Sequence, residues 1–182
     1  MPPALPQSAL KTCLPPVVDG RVRLLICGSL PGEASLKAER YYAHPRNQFW
    51  RLLEGVLDEP IAGLSYEERL LTLLRRNLGL WDVVATARRR GSLDGAMREV
   101  EVNPLSDLIR TLPQLEAVAF NGGTAARIGR RALGHTRLTL IDLPSSSPAL
   151  TLPLAEKAER WAVLRPFIGS GELTAPHPPG EG

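Results

Sequence analysis

Val22-Arg-Leu-Leu-Ile-Cys27 runs directly into Gly28-Ser-Leu-Pro-Gly32, and the following loop carries Tyr41-Tyr-Ala-His-Pro-Arg-Asn47 before Gln48-Phe-Trp50. The first six residues are mostly apolar and read as a buried strand. The Gly-Ser-Leu-Pro-Gly segment lets the backbone turn tightly and approach a ligand closely. Two aromatics, a histidine and an asparagine then fall within seven residues. Such a set can stack on a flat ring and hydrogen-bond its edges. Each member also has a plainer reading. The tyrosines could be core aromatics, His44 a structural hydrogen-bonder, and Asn47 the cap of the helix that starts there.

Outward from this stretch, strand-like and helix-like segments alternate. A helix with Phe49, Leu52, Leu53, Val56 and Leu57 on one face follows Asn47. A second helix is expected over residues 66–78. Leu80-Trp-Asp-Val-Val84 reads as a short strand or tight turn, and 104–112 as a helix with proline in its first turn. Ala117-Val-Ala-Phe120 reads as a central strand, turned by Asn121-Gly-Gly-Thr124 into a helix over 125–133. A strand over 138–143, the loop Pro144-Ser-Ser-Ser-Pro148 and a last helix over 154–167 complete the series. That last helix is expected to turn Ala158, Trp161 and Ala162 inward. The alternation predicts a three-layer α/β/α sandwich around a mainly parallel four-stranded sheet. Ligands of such sheets bind outside the carboxyl ends of the strands. The loops 28–47, 121–124 and 143–149 all follow strands and should share one crevice.

Residues 1–20 are proline-rich and read as an extended lead-in. Residues 21–169 form the single expected domain, and 170–182, rich in glycine and proline, a disordered tail. At 182 residues the chain can bury a proper core. The formal charge of +3 is compatible with a polyanion partner and does not demand one. Arg88, Arg89 and Arg90 are consecutive, and Arg127, Arg130, Arg131 and Arg137 lie close together; both groups could equally be solvated faces. Two cysteines without metal-ligand spacing argue against a disulfide framework or a four-cysteine metal site. No run is long enough to span a bilayer, so a cytoplasmic protein is expected, nucleoid-associated if bacterial.

The other motifs are weak singly. Gly28-Ser-Leu-Pro-Gly32 is neither a dinucleotide fingerprint nor a P-loop, which argues against a nucleotide-binding Rossmann-like domain. Asp82 could orient water or support another group, or be a turn residue. Gly122, Gly123 and Thr124 offer backbone amides to an anion, or simply make the turn. Ser145, Ser146 and Ser147 could contact phosphate, or be a polar surface loop. There is no Gly-x-Ser-x-Gly elbow for a serine nucleophile.

Taken in order, these residues resemble the uracil-DNA glycosylase superfamily, over roughly residues 22–167. Tyr42-Ala-His-Pro-Arg-Asn-Gln-Phe-Trp50 after a strand and Gly-Ser-Leu-Pro-Gly looks like its mismatch-specific uracil/thymine branch. Those enzymes carry Gly-x-Asn-Pro-Gly, then Phe/Tyr-Ala-His-Pro-x-Asn-x-Phe-Trp, then a late Asn-Pro-Ser-Gly/Ser. The late motif is similar to Leu143-Pro-Ser-Ser-Ser147 here. With Leu80-Trp-Asp-Val-Val84 and Asn121-Gly-Gly included, the pattern most resembles the hypoxanthine (deoxyinosine) DNA glycosylases. The resemblance implies a monofunctional DNA glycosylase of base excision repair, acting as a monomer on DNA with a deaminated or mismatched base, without metal or cofactor. It implies Asn47 and Asp82 as catalytic groups, and Tyr42 and His44 with the backbone of Gly28, Ser29 and Leu30 as base-binding. Gly122, Gly123, Thr124, Ser145, Ser146, Ser147, Arg88 and Arg89 would contact the DNA. One departure is chemical: Leu30 stands where uracil-excising relatives hold the attacking water with asparagine, which points toward hypoxanthine. A uracil or broad deaminated-base glycosylase, or a non-catalytic DNA binder on this fold, is the alternative.

Overall fold

The computed structural model describes residues 8–171. The tail expected from residue 170 onward and the start of the lead-in therefore lie largely outside the described residues. In chain order the elements are β1 (Ala9–Thr12), β2 (Leu24–Gly28), α1 (Glu33–Ala38), α2 (Phe49–Leu57), α3 (Tyr66–Arg75), β3 (Leu78–Asp82), β4 (Val84–Arg89), β5 (Arg98–Val102), α4 (Leu105–Arg110), β6 (Ala117–Asn121), α5 (Gly123–Leu133), β7 (Thr139–Leu143) and α6 (Leu154–Trp161). Four strands form one parallel sheet in the order β3-β2-β6-β7, as expected from the alternating pattern.

The sheet is covered on both faces, which is why β2, β3 and β6 are buried at every position rather than at alternate ones, and apolar up to the Asp82 and Asn121 that end β3 and β6. Leu24, Ile26, Leu78, Leu80, Ala117 and Ala119 pack with α2, Leu73 of α3 and Trp161 of α6. The intervening residues Leu25, Cys27, Trp81, Val118 and Phe120 face the other way, toward Leu105 of α4 and Ala125 and Ala126 of α5. The two-residue period of a strand separates these cores.

Three expectations need correction. The lead-in holds a strand: β1 pairs antiparallel with β4, which pairs antiparallel with β5, making a second small sheet. The second helix stops at Arg75, because Asn77 adopts a left-handed conformation (φ 63°) and Leu78 already begins β3. The last helix turns Leu154, Lys157, Trp161 and Leu164 inward, with Ala158 exposed, and continues as a 3-10 helix from Ala162 to Phe167.

The chain passes from the first sheet to the second across Val83 alone. The amides of Val83 and Val84 bond the carbonyls of Gly28 and Ser29, so the crossing fixes the start of the 28–47 loop. Asp82, the last residue of β3, therefore ends beside Gly28, its register partner on β2.

Candidate active site

The three loops do meet beyond the carboxyl ends of the strands. Their junction is a chain of hydrogen bonds through Ser146. The Asn121 side chain donates to Ser146 Oγ (2.9 Å) and accepts from the Ser146 amide (2.9 Å), and the Ser146 hydroxyl donates to Asn47 Oδ1 (2.8 Å). The Phe49 amide also donates to Asn47 Oδ1 (3.0 Å). A backbone N–H can only donate, so this bond fixes which end of the Asn47 amide is oxygen. Both acceptor directions of that oxygen are taken. The NH₂ group is left as the donor that Asn47 can present.

The N-cap of α2 is Gln48, so Asn47 is not the cap the sequence suggested; one residue earlier, it steadies the turn into the helix through the Phe49 amide and presents an oriented donor as well. Ser146 is buried and committed inward, and the Gly122 amide bonds the carbonyls of Phe120 and Leu143. Neither is placed to hold a phosphate, which corrects that part of the expected DNA contact. Ser145, Ser147, Gly123 and Thr124 remain at least partly exposed around them. The Ser145 and Ser147 hydroxyls accept from the amides of Ser147 (3.1 Å) and Ala149 (3.2 Å), leaving their protons to donate. Behind this loop the fully buried Lys157 donates to Gln48 Oε1 (2.9 Å) and to the Ser147 carbonyl (3.2 Å), and burial pushes its pKa down. Nothing in the sequence distinguished Lys157 from the solvated lysines of an amphipathic helix.

Gly28 lies at the floor of the crevice. A Cβ there would come within 2.7 Å of Asp82 Oδ1 and 3.1 Å of the Tyr42 hydroxyl, so glycine is required for close approach. Asp82 is buried, and its Oδ2 has no hydrogen-bond partner among the described residues; the Tyr42 hydroxyl is buried too, with the Asn121 side chain beside it. A buried polar group without a partner costs about 1–3 kcal/mol. The Asp82 carboxyl is left with that cost beside the bare Cα of Gly28. Burial is the main cause that pushes the Asp82 carboxyl up to about 7; the nearby Asp94 charge adds to this and Arg89 opposes it.

Tyr42 holds a left-handed backbone conformation (φ 53°), and its ring stacks on Phe49 at 3.7 Å and 13°. Phe49 is thus a site residue that sequence reasoning took for core alone. Tyr41 is a core residue whose hydroxyl bonds the carbonyls of Leu14 and Pro15. His44 is exposed, and its Nδ1 accepts from the Arg46 amide (3.1 Å) within the loop.

Leu30 is 6% exposed and packs into the second core with Leu25, Cys27 and Trp81. Its side chain points away from the crevice, so only its backbone can serve there. Arg89 is a further correction. It is fully buried and donates to the carbonyls of Leu30, Pro31 and Gly91, with its guanidinium 3.8 Å from Asp94. Three of its N–H donors go to carbonyls beneath the loop, and, fully buried, it is not placed to reach a phosphate. Asp94 in turn accepts from the Ser29 hydroxyl at 2.7 Å. Arg88 lies on β4 and not in a loop, with its side chain exposed and paired to Glu99 (2.6 Å).

The carboxyl end of this doubly covered parallel sheet thus gathers an oriented amide, a backed aromatic ring and a buried carboxyl. Comparison with known proteins narrows the class. Residues 15–165 match the family model of the Uracil DNA glycosylase superfamily, and the chain belongs to that superfamily. It is 38% identical over 154 residues to the hypoxanthine DNA glycosylase of Methanosarcina barkeri, covering 84% of this chain and 96% of that protein. The hypoxanthine DNA glycosylase of Methanosarcina acetivorans is 37% identical over 86% of this chain and 99% of its own length. A solution NMR structure from Methanosarcina acetivorans, provisionally assigned as a uracil DNA glycosylase, superposes with a TM-score of 0.77 at 34% identity, over 87% of this chain and 99% of that one.

Proposed function

We propose that this protein is a DNA-repair glycosylase that flips a deaminated base, foremost hypoxanthine, out of DNA and hydrolyses its N-glycosidic bond. The relatives' activity supports the reaction. The orientation of the Asn47 amide supports the base: its oxygen is tied by Phe49 and Ser146, so it faces the ring as a donor. Hypoxanthine carries a carbonyl at C6, an acceptor. Adenine carries an amino group there, a donor. A donor fixed at this point accepts the deaminated base and rejects its parent.

A base in a duplex cannot be reached, so the nucleotide is extruded at a cost of a few kcal/mol, least for a mispaired base. The flipped ring would lie against Tyr42, whose other face Phe49 supports. The Ser29 and Leu30 amides would bond base oxygen and stabilise the charge that develops as the bond breaks. Ser145, Ser147 and the start of α5 at Gly123 and Thr124 would contact the flanking phosphates. Because Leu30 faces the core, no first-motif side chain holds water, and uracil is the poorer substrate. Among the described residues no helix is long and apolar enough to cross a membrane. A monomer acting in the cytoplasm, on chromosomal DNA, fits this reading.

The test is base release from duplexes carrying hypoxanthine, xanthine or uracil, with EDTA present. Hypoxanthine release leaving an abasic site is expected. Faster release of uracil than of hypoxanthine would refute the preference, and binding without release of any base would reduce the chain to a DNA binder.

A further inference from the structure

Asp82 has no structural reason to be an acid. Among the described residues its side chain bridges no ion pair and its Oδ2 has no partner, and it sits against the bare Cα of Gly28 at the carboxyl end of the sheet, beside the Tyr42 hydroxyl. The backbone does the structural work at this position: the Asp82 carbonyl accepts from Asn103 Nδ2 at 2.7 Å, and Gly28 pairs with it in register. We propose that Asp82 enters the reaction as a neutral acid and protonates N7 of the departing purine, making it a specificity-determining catalytic residue for purine lesions. This rests on the reading of the crevice as a hypoxanthine pocket.

The chemistry follows from the edge that Asn47 faces. On a 6-oxopurine, O6 and N7 are adjacent acceptors on one edge. With O6 taken by the Asn47 amide, a protonated Asp82 would supply the donor for N7; a pyrimidine has no N7. As the C1′–N9 bond breaks, its electron pair passes into the purine, and the Asp82 proton moves to N7, so the base leaves neutral. Water adds its oxygen to C1′. The proton that this water loses restores the Asp82 acid through solvent, and the net change is water consumed and hypoxanthine released.

The surroundings suit a proton donor near neutrality. The titratable groups facing Asp82 are Asp94 and Arg89 from the second sheet, Cys27 on the adjoining strand, Tyr41 and Tyr42 from the loop, and Cys13 just beyond β1. Both cysteines and both tyrosines are held above their ordinary values by burial, so they are uncharged around pH 7. The local charge comes from Asp94 and Arg89, which oppose each other. With its carboxyl raised from 3.8 to about 7, Asp82 keeps a transferable proton in the range where a general acid works best.

The experiment is single-turnover release of hypoxanthine by wild type, Asp82→Asn and Asp82→Glu from pH 5 to 9, with DNA affinity and thermal melts on the same samples. Asparagine keeps a donor for N7 and has no proton to transfer. The expected result is near-normal affinity with release slowed ~10²–10⁴-fold. Wild-type release should fall as pH rises through about 7, and that limb should vanish in Asp82→Asn. Asp82→Glu should recover part of the rate together with the limb.

A second readout needs no activity. Between pH 3.8 and about 7 the native state holds one proton that the unfolded chain has lost, so stability falls as pH rises across that window. Asp82→Asn should remove this part of the slope. Normal release by Asp82→Asn, or a limb that survives the substitution, overturns the proposal while leaving the glycosylase reading intact. A wild-type rate that rises with pH would mark an ionised Asp82 and overturn it too. If wild type releases no hypoxanthine, the glycosylase reading falls first, and this one with it.

Discussion

Asn47 carries two jobs with one amide. Its oxygen closes the turn into α2 by accepting from Phe49, and the same bond with that from Ser146 decides which way its NH₂ points. The sequence set cap against catalytic group as alternatives; the structure places Gln48 at the N-cap and leaves the Asn47 amide oriented beside it. The two can still be separated by substitution. Asn47→Asp keeps the acceptor for Phe49 and Ser146 and replaces the donor with a carboxylate oxygen, which would face O6 as acceptor against acceptor. Folding stability should change by less than the ~0.5–2 kcal/mol that loss of a cap costs. Hypoxanthine release should fall by at least the ~10²–10³ typical of one lost transition-state donor. Asn47→Ala should show both losses. Thermal melts and single-turnover release on the two variants check this, and an Asn47→Asp enzyme with near-normal release would leave Asn47 as a support of the turn alone.

At the scale of elements, the parallel sheet was legible because its strands, closed on both faces, are short apolar runs separated by helical periodicity. The convergence of three loops followed from strand direction alone. Less legible was anything set by pairing across the chain. β1 is a four-residue strand with mostly exposed positions, so no alternation marks it; its partner lies far along the sequence at residues 86–89. Arg89 looked like one of three surface arginines because burial of a guanidinium depends on carbonyls supplied by the 28–32 turn. Leu30 is the case where sequence and structure combine. The sequence notes a missing asparagine; the structure shows that this loop sends residue 30 into the second core, held from below by Arg89. Restoring the family residue should therefore not restore the family's water-holding group. Leu30→Asn places an amide in an apolar cluster, where an unpartnered polar group costs about 1–3 kcal/mol in addition to the lost leucine packing. A lowered melting temperature with no gain in uracil release is expected. A substantial gain in uracil release would show that residue 30 can turn outward into the crevice.

Across the whole molecule, the modest excess of positive charge matters through where it is held. Arg89 is spent inside, and strand alternation turns Arg88, next to it on β4, away from the 28–32 turn that Arg89 supports. Arg130 is paired to Asp142 at the sheet edge. Arg46, by contrast, is exposed within the crevice loop, one residue before Asn47, and its amide bond to His44 Nδ1 anchors its backbone there. A phosphate beside the flipped nucleotide would meet this arginine. Each phosphate contact that is lost removes about 0.9 from the slope of log K against log salt on duplex DNA. Arg46→Ala should therefore weaken binding to damaged and undamaged duplexes alike and make the slope shallower by about one. Arg88→Ala should leave the slope where it was, since its charge faces Glu99 on the second sheet. Titrations by fluorescence anisotropy from low to moderate salt, with and without a central hypoxanthine, give both slopes. If Arg88→Ala flattens the slope and Arg46→Ala does not, the DNA runs over the second sheet rather than across the crevice loop. The phosphate contacts assigned to Ser145, Ser147 and the start of α5 would then need to be sought along β4 and β5.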